Sequence, residues 1–292
     1  MKLLAKFNIA FLLVFGGGLA AAGFLAGRFL KDNAQDQVLR QASLMMETSL
    51  AARTYTTEQI KPLLETPQHF TTTFIRQTVP AYAATETFRY LRKRYPAYTY
   101  REATLNPTNP SNRAVDWEAD IINIFRNHRD RTDIHGERDT PDGMSLYMAR
   151  PILVGAPCLV CHSVPSRAPR SMIKLYGTAN GFGWQEGEVV GAQIVSVPMS
   201  LPMAIAQRAF QTLMIYLGAV GIVTMIILDL ALVLIVIRPV RRLSAVAEDI
   251  SKGNLDVPEL PVKGRDEIAG LAGSFNRMYV SLRKAIQLLE GR

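Results

Sequence analysis

Cys158 and Cys161 are the two cysteines of this 292-residue chain, and two residues separate them. His162 follows directly, so the segment reads Cys-Leu-Val-Cys-His. In such a segment the two thiols form thioethers with the two vinyl groups of a haem, and the adjacent imidazole faces the iron as an axial ligand. The pattern therefore predicts one covalently attached haem c, held by Cys158 and Cys161 and ligated by His162.

Three other interpretations of the cysteine pair are weaker. A thioredoxin-like redox pair begins a helix near a βαβ pattern, which this sequence lacks. A structural zinc site needs four ligands and usually a second Cys/His pair, which is also missing. A simple disulfide between Cys158 and Cys161 leaves the adjacent His162 without a role.

Residues elsewhere in the chain are expected to complete the haem site. Gly177, Gly181 and Gly183 allow close approach of the backbone to a flat ligand, and Trp184 is expected to cover a haem face or edge; the alternative is a plain glycine loop with a core tryptophan. The expected second iron ligand is Met46, on the apolar side of a predicted helix, because a thioether suits haem iron. The alternatives are a core-filling role for Met46, or ligation by Met45 or one of the other histidines, His69, His128 and His135.

Two long apolar runs indicate membrane helices. Residues 7–27 contain no charged residue in 21 positions, and residues 213–237 contain one, Asp229, in 25. At 1.5 Å per residue each run spans a hydrocarbon core of roughly 30 Å. Basic residues precede the first run and follow the second, so both chain ends are expected in the cytoplasm: Lys2, Lys6, Arg238, Arg241 and Arg242. A cleaved signal peptide is the alternative for the first run.

Asp229 allows two interpretations. An acid within a membrane span is costly and marks a functional site by default. The alternative is a packing role between helices of a dimer.

The segment between the runs is too long to be a connector and predicts an exported domain. Helical periodicity covers residues 32–56 and 116–127, and β-branched or alternating residues predict strands at 145–154 and 188–198. Residues 158–184 are rich in Gly, Pro and Ser and predict a structured loop. Helices first and strands later indicate an α+β domain.

The C-terminal segment shows a heptad pattern that predicts a coiled-coil seam. An earlier helix carries the same spacing at Leu243, Val246 and Ile250, and a connector of about a dozen residues joins the two. Two such chains are expected to form a parallel four-helix bundle. The seam residues are Ile268, Leu271, Phe275, Met278, Leu282, Ala285 and Leu289.

This region resembles the HAMP signalling module. The matching landmarks are Arg238-Pro239, Gly253-Asn254-Leu255 and Asp266-Glu267-Ile268. The exported part resembles the single-haem c-type sensor family on residues 106–110, 158–162, 176–184 and 191–193. That resemblance implies a PAS-like haem domain that feeds a HAMP relay. Sensors of this kind often continue into an output domain, and here the sequence ends at Arg292.

The expected architecture follows from these features. A cytoplasmic N-terminus and first transmembrane helix (1–31) lead into an α+β, PAS-like extracytoplasmic haem domain (32–211). A second transmembrane helix (212–237) and an all-α cytoplasmic HAMP coiled-coil module (238–292) follow. The predicted location is the inner (cytoplasmic) membrane, with the haem domain on the periplasmic or extracytoplasmic side. The expected partners are a second copy, membrane lipid and a separate cytoplasmic signalling protein.

The predicted function is haem-based redox or gas sensing. The alternative is a membrane-anchored mono-haem electron-transfer cytochrome in which the HAMP bundle only dimerises the chain. No additional titratable motif supports an enzyme. The net charge is +8, but the basic residues form no stripe interleaved with aromatics, which argues against nucleic-acid binding.

Overall fold

The computed structural model describes residues 3–65, 73–141, 143–262 and 264–290. The chain divides into two compact units. One comprises Gly27–Ala209, and the other comprises Met1–Ala26 with Phe210–Arg292.

The Gly27–Ala209 unit is built on a four-stranded antiparallel sheet. Its strands are β1 (Thr99–Thr104), β2 (Ile134–Thr140), β3 (Gly143–Leu153) and β4 (Val189–Pro198), in the order β1-β4-β3-β2. Strand β4 is central and is buried from Val189 to Val197, as its β-branched sequence predicts. Strands β4 and β3 therefore form the middle of the sheet.

Helices cover both faces of this sheet. On one face lie α1 (Leu3–Tyr55), which continues through a π-helical turn at Thr56–Ile60 into α2 (Lys61–Leu64), and α3 (Pro80–Arg92). On the other face lies α4 (Asp116–Asn127), whose buried Ile121, Ile122 and Phe125 pack on small strand residues, including Ala103, Ala149 and Ala192. The small alanine side chains let α4 lie close to the strands.

The predicted helices at 32–56 and 116–127 and the predicted strands at 145–154 and 188–198 are confirmed, with small shifts at their ends. The prediction of one loop over 158–184 was wrong. That stretch contains the end of α5 (Ala156–His162) and the whole of α6 (Arg170–Tyr176).

The other unit contains an antiparallel pair of apolar helices. Among the described residues, two helical segments are long and apolar enough to cross a membrane, the first within α1 and the second within α7 (Ser200–Ala231) and its continuation. Near their ends Asn8 Nδ2 donates to Asp229 Oδ2 at 3.1 Å, and farther along Phe15 packs on Gly221. Asp229 thus bonds to a helix of its own chain.

The C-terminal helices of this unit are α8 (Arg238–Ser251) and α9 (Glu267–Glu290), which begins where Asp266 Oδ1 accepts from the Ala269 N–H at 2.8 Å. The connector between them is held by Asn276, whose amide bonds both the N–H and the C=O of Leu260 at 2.9 and 2.8 Å. The Tyr279 hydroxyl donates to the Leu255 carbonyl at 2.5 Å.

Candidate haem site

The short helix α5 carries all three residues of the predicted haem-attachment motif. Gly155 precedes it, and Pro157 lies in its first turn, where a missing N–H costs little. Cys158 and Cys161 are free thiols three residues apart, which places them on one face of the helix. Both are partly exposed, so a ligand can reach them.

Burial raises the pKa of the Cys161 thiol, and the charges of Glu65 and Cys158 raise it further, while Lys61 opposes them. Every pair of described strands is antiparallel, so the described residues lack the βαβ pattern that accompanies a thioredoxin-like redox pair. Among the described residues, no group of three or more His, Cys, Asp or Glu side chains is placed to hold a metal ion by itself. The thioredoxin-like and zinc interpretations therefore lack support.

The imidazole of His162 is oriented through one of its two nitrogens. Its Nδ1 lies 2.7 Å from the carbonyl oxygen of Gly181 and 3.3 Å from Thr108 Oγ1. A carbonyl oxygen only accepts, so Nδ1 carries the proton and donates to it. The other nitrogen, Nε2, then keeps its lone pair, which is the arrangement of a metal-ligating histidine.

The protonation state of His162 fits the same role. Burial lowers its pKa below the ordinary histidine value, although the hydrogen bond to Gly181 opposes this shift. Because the pKa is lowered, the ring stays neutral at pH 7, and a neutral imidazole is the form that binds a metal.

Two separate loops meet at His162 and fix the carbonyl that orients it. Asn106 Oδ1 accepts from the Gly181 N–H at 3.3 Å, and Thr108 lies in the same Asn-Pro-Thr-Asn-Pro segment. Gly181 has φ +80°, and a Cβ there would lie 2.7 Å from the backbone nitrogen of Thr108. Gly181 is therefore required for the approach of two backbone segments to each other.

Trp184 stacks directly on the imidazole of His162. The ring centroids are 4.1 Å apart and the planes differ by 12°. Backbone hydrogen bonds from Gly183 N to the Ser163 carbonyl and from Trp184 N to the His162 carbonyl, at 2.9 and 3.3 Å, tie this loop to the end of α5. The indole therefore fixes the plane of the imidazole.

The end of α1 and the turn after it lie beside the cysteines, which sequence reasoning did not anticipate. Arg53 is close enough to Cys158 to interact with it electrostatically. Arg53 Nη1 also donates to both oxygens of the buried Glu102, at 2.6 and 2.5 Å, and the Tyr100 hydroxyl donates to Glu102 at 2.6 Å. The sequence did not single out Arg53, because an arginine on a long helix usually lies on its solvent-exposed face.

Met46 is fully buried in the core between α1 and the sheet, among Val38, Ala42 and neighbouring apolar residues. This is the packing role that its sequence pattern had left open; iron ligation by Met46 stays a prediction. His128, at the end of α4, and His135, on the edge strand β2, are exposed. His69 lies outside the described residues.

The fold and the site thus define a class of protein with a helix-flanked antiparallel sheet, a Cys-x-x-Cys-His helix and an apolar helix pair. Residues 31–198 match the Tll0287-like family, described as Tll0287, and residues 231–284 match the HAMP domain. The first match covers more than half of the chain, so the protein belongs to the Tll0287-like family.

One solved structure, the "Crystal structure of the cyanobacterial heme-protein Tll0287", is 18% identical and covers 55% of this chain and 94% of its own, with a TM-score of 0.43. No curated protein matches the chain.

Proposed function

We propose that this protein is a membrane-spanning haem sensor that carries one covalently attached haem c outside the cytoplasm. Cys158 and Cys161 form the thioethers, and His162 binds the iron through Nε2. The observation that carries the proposal is the orientation of His162, whose Nδ1 is taken by the Gly181 carbonyl at 2.7 Å. The haem supplies an iron that changes its charge on reduction or binds a small gas.

The surroundings of the motif suit such a group. The Trp184 indole packs flat on the imidazole of His162 and fixes the plane of that ring. The helix-flanked antiparallel sheet is compatible with the PAS-like domain that we propose.

The HAMP match favours signalling over simple electron transfer, since an electron carrier has no need of a relay module. In the proposed arrangement residues 32–211 lie outside the cytoplasm, residues 212–237 cross the inner membrane and residues 238–292 relay the signal. A separate cytoplasmic protein reads the state of the HAMP helices. The protein acts as a homodimer, because HAMP helices complete their core with a second copy.

Covalent attachment tests the proposal. The full chain is produced in a host that attaches haem c, denatured, separated on a gel and stained for haem peroxidase activity. We expect stain at the position of the protein in the wild type and none in the Cys158→Ala/Cys161→Ala variant. The His162→Ala variant should keep stain but lose its native absorption spectrum. Wild-type protein that loses its stain on denaturation would refute covalent attachment.

A further inference from the structure

An open cleft of about 380 Å³ lies on the sheet face that carries α4, at the end that α4 leaves uncovered. It reaches across all four strands, and its position differs from that of the haem site. Strand β1 begins at Thr99 in the cleft, whereas the chain after its other end, at Thr104, leads to the loop that meets His162. The polar residues that matter are Arg101, Arg138, Ser145 and Ser196, with Trp117 as an aromatic wall.

The lining of the cleft has an excess of positive charge. It includes three arginines, Arg92, Arg101 and Arg138, and one acid, Glu118. Glu118 is already engaged, because Arg101 Nε lies 2.7 Å from its Oε1 and the Val115 N–H donates to its Oε2 at 3.0 Å. Because the lining has three guanidinium groups and one carboxylate, two of its positive charges have no acid in the lining to balance them.

Arg138 is placed to meet a ligand. Its guanidinium carbon lies 4.0 Å from the centre of the Trp117 ring, within the range of a cation–π contact. Among the residues that the structure describes, no acidic side chain forms an ion pair with it. This contact restrains the guanidinium beside the cleft, and its N–H groups can bond a carboxylate there.

Two serines of the central strands add hydroxyl groups to the cleft. Ser145 is 3% exposed and Ser196 is 8% exposed, and both line the cleft. The Ser145 hydroxyl has a contact of 3.5 Å with Thr140 Oγ1, and the Ser196 hydroxyl has no hydrogen-bond partner within the described part of the chain. The cleft is open, so the Ser196 hydroxyl is available to bond a molecule that enters it.

We propose that this cleft binds a small organic anion with a carboxylate group. Arg138 pairs with the carboxylate, the hydroxyls of Ser145 and Ser196 bond to its polar atoms, and Ile194 with Val115 covers its carbon skeleton. The apolar wall selects an organic ligand over an inorganic anion. The site does not depend on the haem and gives the exported domain a second ligand to respond to.

Isothermal titration calorimetry of the full chain in detergent tests the proposal. The probes are acetate, succinate, citrate and inorganic phosphate, each measured against sodium chloride at equal ionic strength. We expect saturable heat from at least one of the three carboxylates. Arg138→Met keeps the aliphatic packing on Trp117 and should weaken that binding by at least about tenfold, since it removes a charge-assisted pair.

Arg129→Met makes the same charge change at an exposed loop position and should bind like the wild type. Ser196→Ala removes a single oxygen and provides a second test should Arg138→Met fail to fold; it should also bind more weakly. The proposal is wrong when no carboxylate gives saturable heat, when phosphate binds as tightly as the best carboxylate, or when both Arg138→Met and Ser196→Ala bind as the wild type does.

Discussion

The orientation of His162 depends on a close contact between two loops at Gly181. Gly181→Ala places a methyl group against Thr108 and should displace the carbonyl that holds Nδ1. We expect a shifted haem reduction potential and a loss of stability of about 1–3 kcal/mol. Potentiometry and thermal unfolding of the haem-loaded protein measure the two effects.

Gly183→Ala is the matched control, because Gly183 also has a positive φ, +78°, but an added Cβ meets nothing within 4 Å. It should lose stability through backbone strain alone and keep the wild-type potential. Equal potentials in Gly181→Ala and wild type would show that the carbonyl does not control the imidazole.

Substitution of Met46 tests whether its thioether fills the core beside α1 or binds the haem iron. Its complete burial in the core leads us to expect that Met46→Leu keeps the haem spectrum and potential, since leucine preserves the volume. Met46→Ala should unfold more easily by about 2–5 kcal/mol, because it opens a cavity. A lower potential or new carbon monoxide binding in Met46→Leu would instead establish Met46 as the second iron ligand.

At the scale of elements, a buried ion pair joins α1 to β1. The side chains of Arg53 and Glu102 are 24% and 4% exposed, and burial raises the pKa of Tyr100 so that its hydroxyl remains a donor to Glu102. Glu102→Gln leaves Arg53 without its counter-charge and should cost about 3 kcal/mol, measured by denaturant unfolding. Glu137→Gln, on the exposed edge strand β2, should cost under about 0.5 kcal/mol. Similar stabilities of the two variants would argue against a structural role of the pair.

The elements that the sequence revealed are those with strong periodicity. The β-branched run of β4 and the apolar stripe of α1 were predictable because burial there follows the local pattern. Strand β1 was missed because its charged residues find partners on distant helices, Arg101 on α4 and Glu102 on α1. Helix α3 was also missed, although Pro80 at its first position suits a first helical turn.

The haem motif itself was predictable, since its chemistry requires Cys158, Cys161 and His162 at fixed spacing. The contacts that orient His162 were not, because Thr108 is 54 residues away in sequence. The resemblance of residues 106–110 and 176–184 to the sensor family carried the available signal for them. Contact between Trp184 and the haem stays a prediction, and the stacking of Trp184 on the imidazole depends on the tertiary structure.

At the scale of the whole molecule, α9 leaves an apolar seam uncovered. Leu271, Met278 and Leu282 are 49%, 57% and 40% exposed, although Ala272 and Tyr279 on the same helix are buried. Such a seam needs a second copy. Single cysteines at Met278, in a Cys158→Ala/Cys161→Ala background, should cross-link readily to their own copies in membranes. Arg283→Cys is the control, and cross-linking as strong as at Met278 would count against a specific parallel dimer.

The central claim is that the state of the haem controls the HAMP helices, and one measurement tests it directly. Leu282→Cys is introduced into the haem-loaded protein, in which Cys158 and Cys161 are blocked as thioethers. The rate of cross-linking by a bismaleimide is then compared in chemically reduced and oxidised membranes. The account predicts two different rates with haem and a single rate in the Cys158→Ala/Cys161→Ala background. Identical rates in both redox states of the haem-loaded protein would contradict redox sensing and favour the electron carrier.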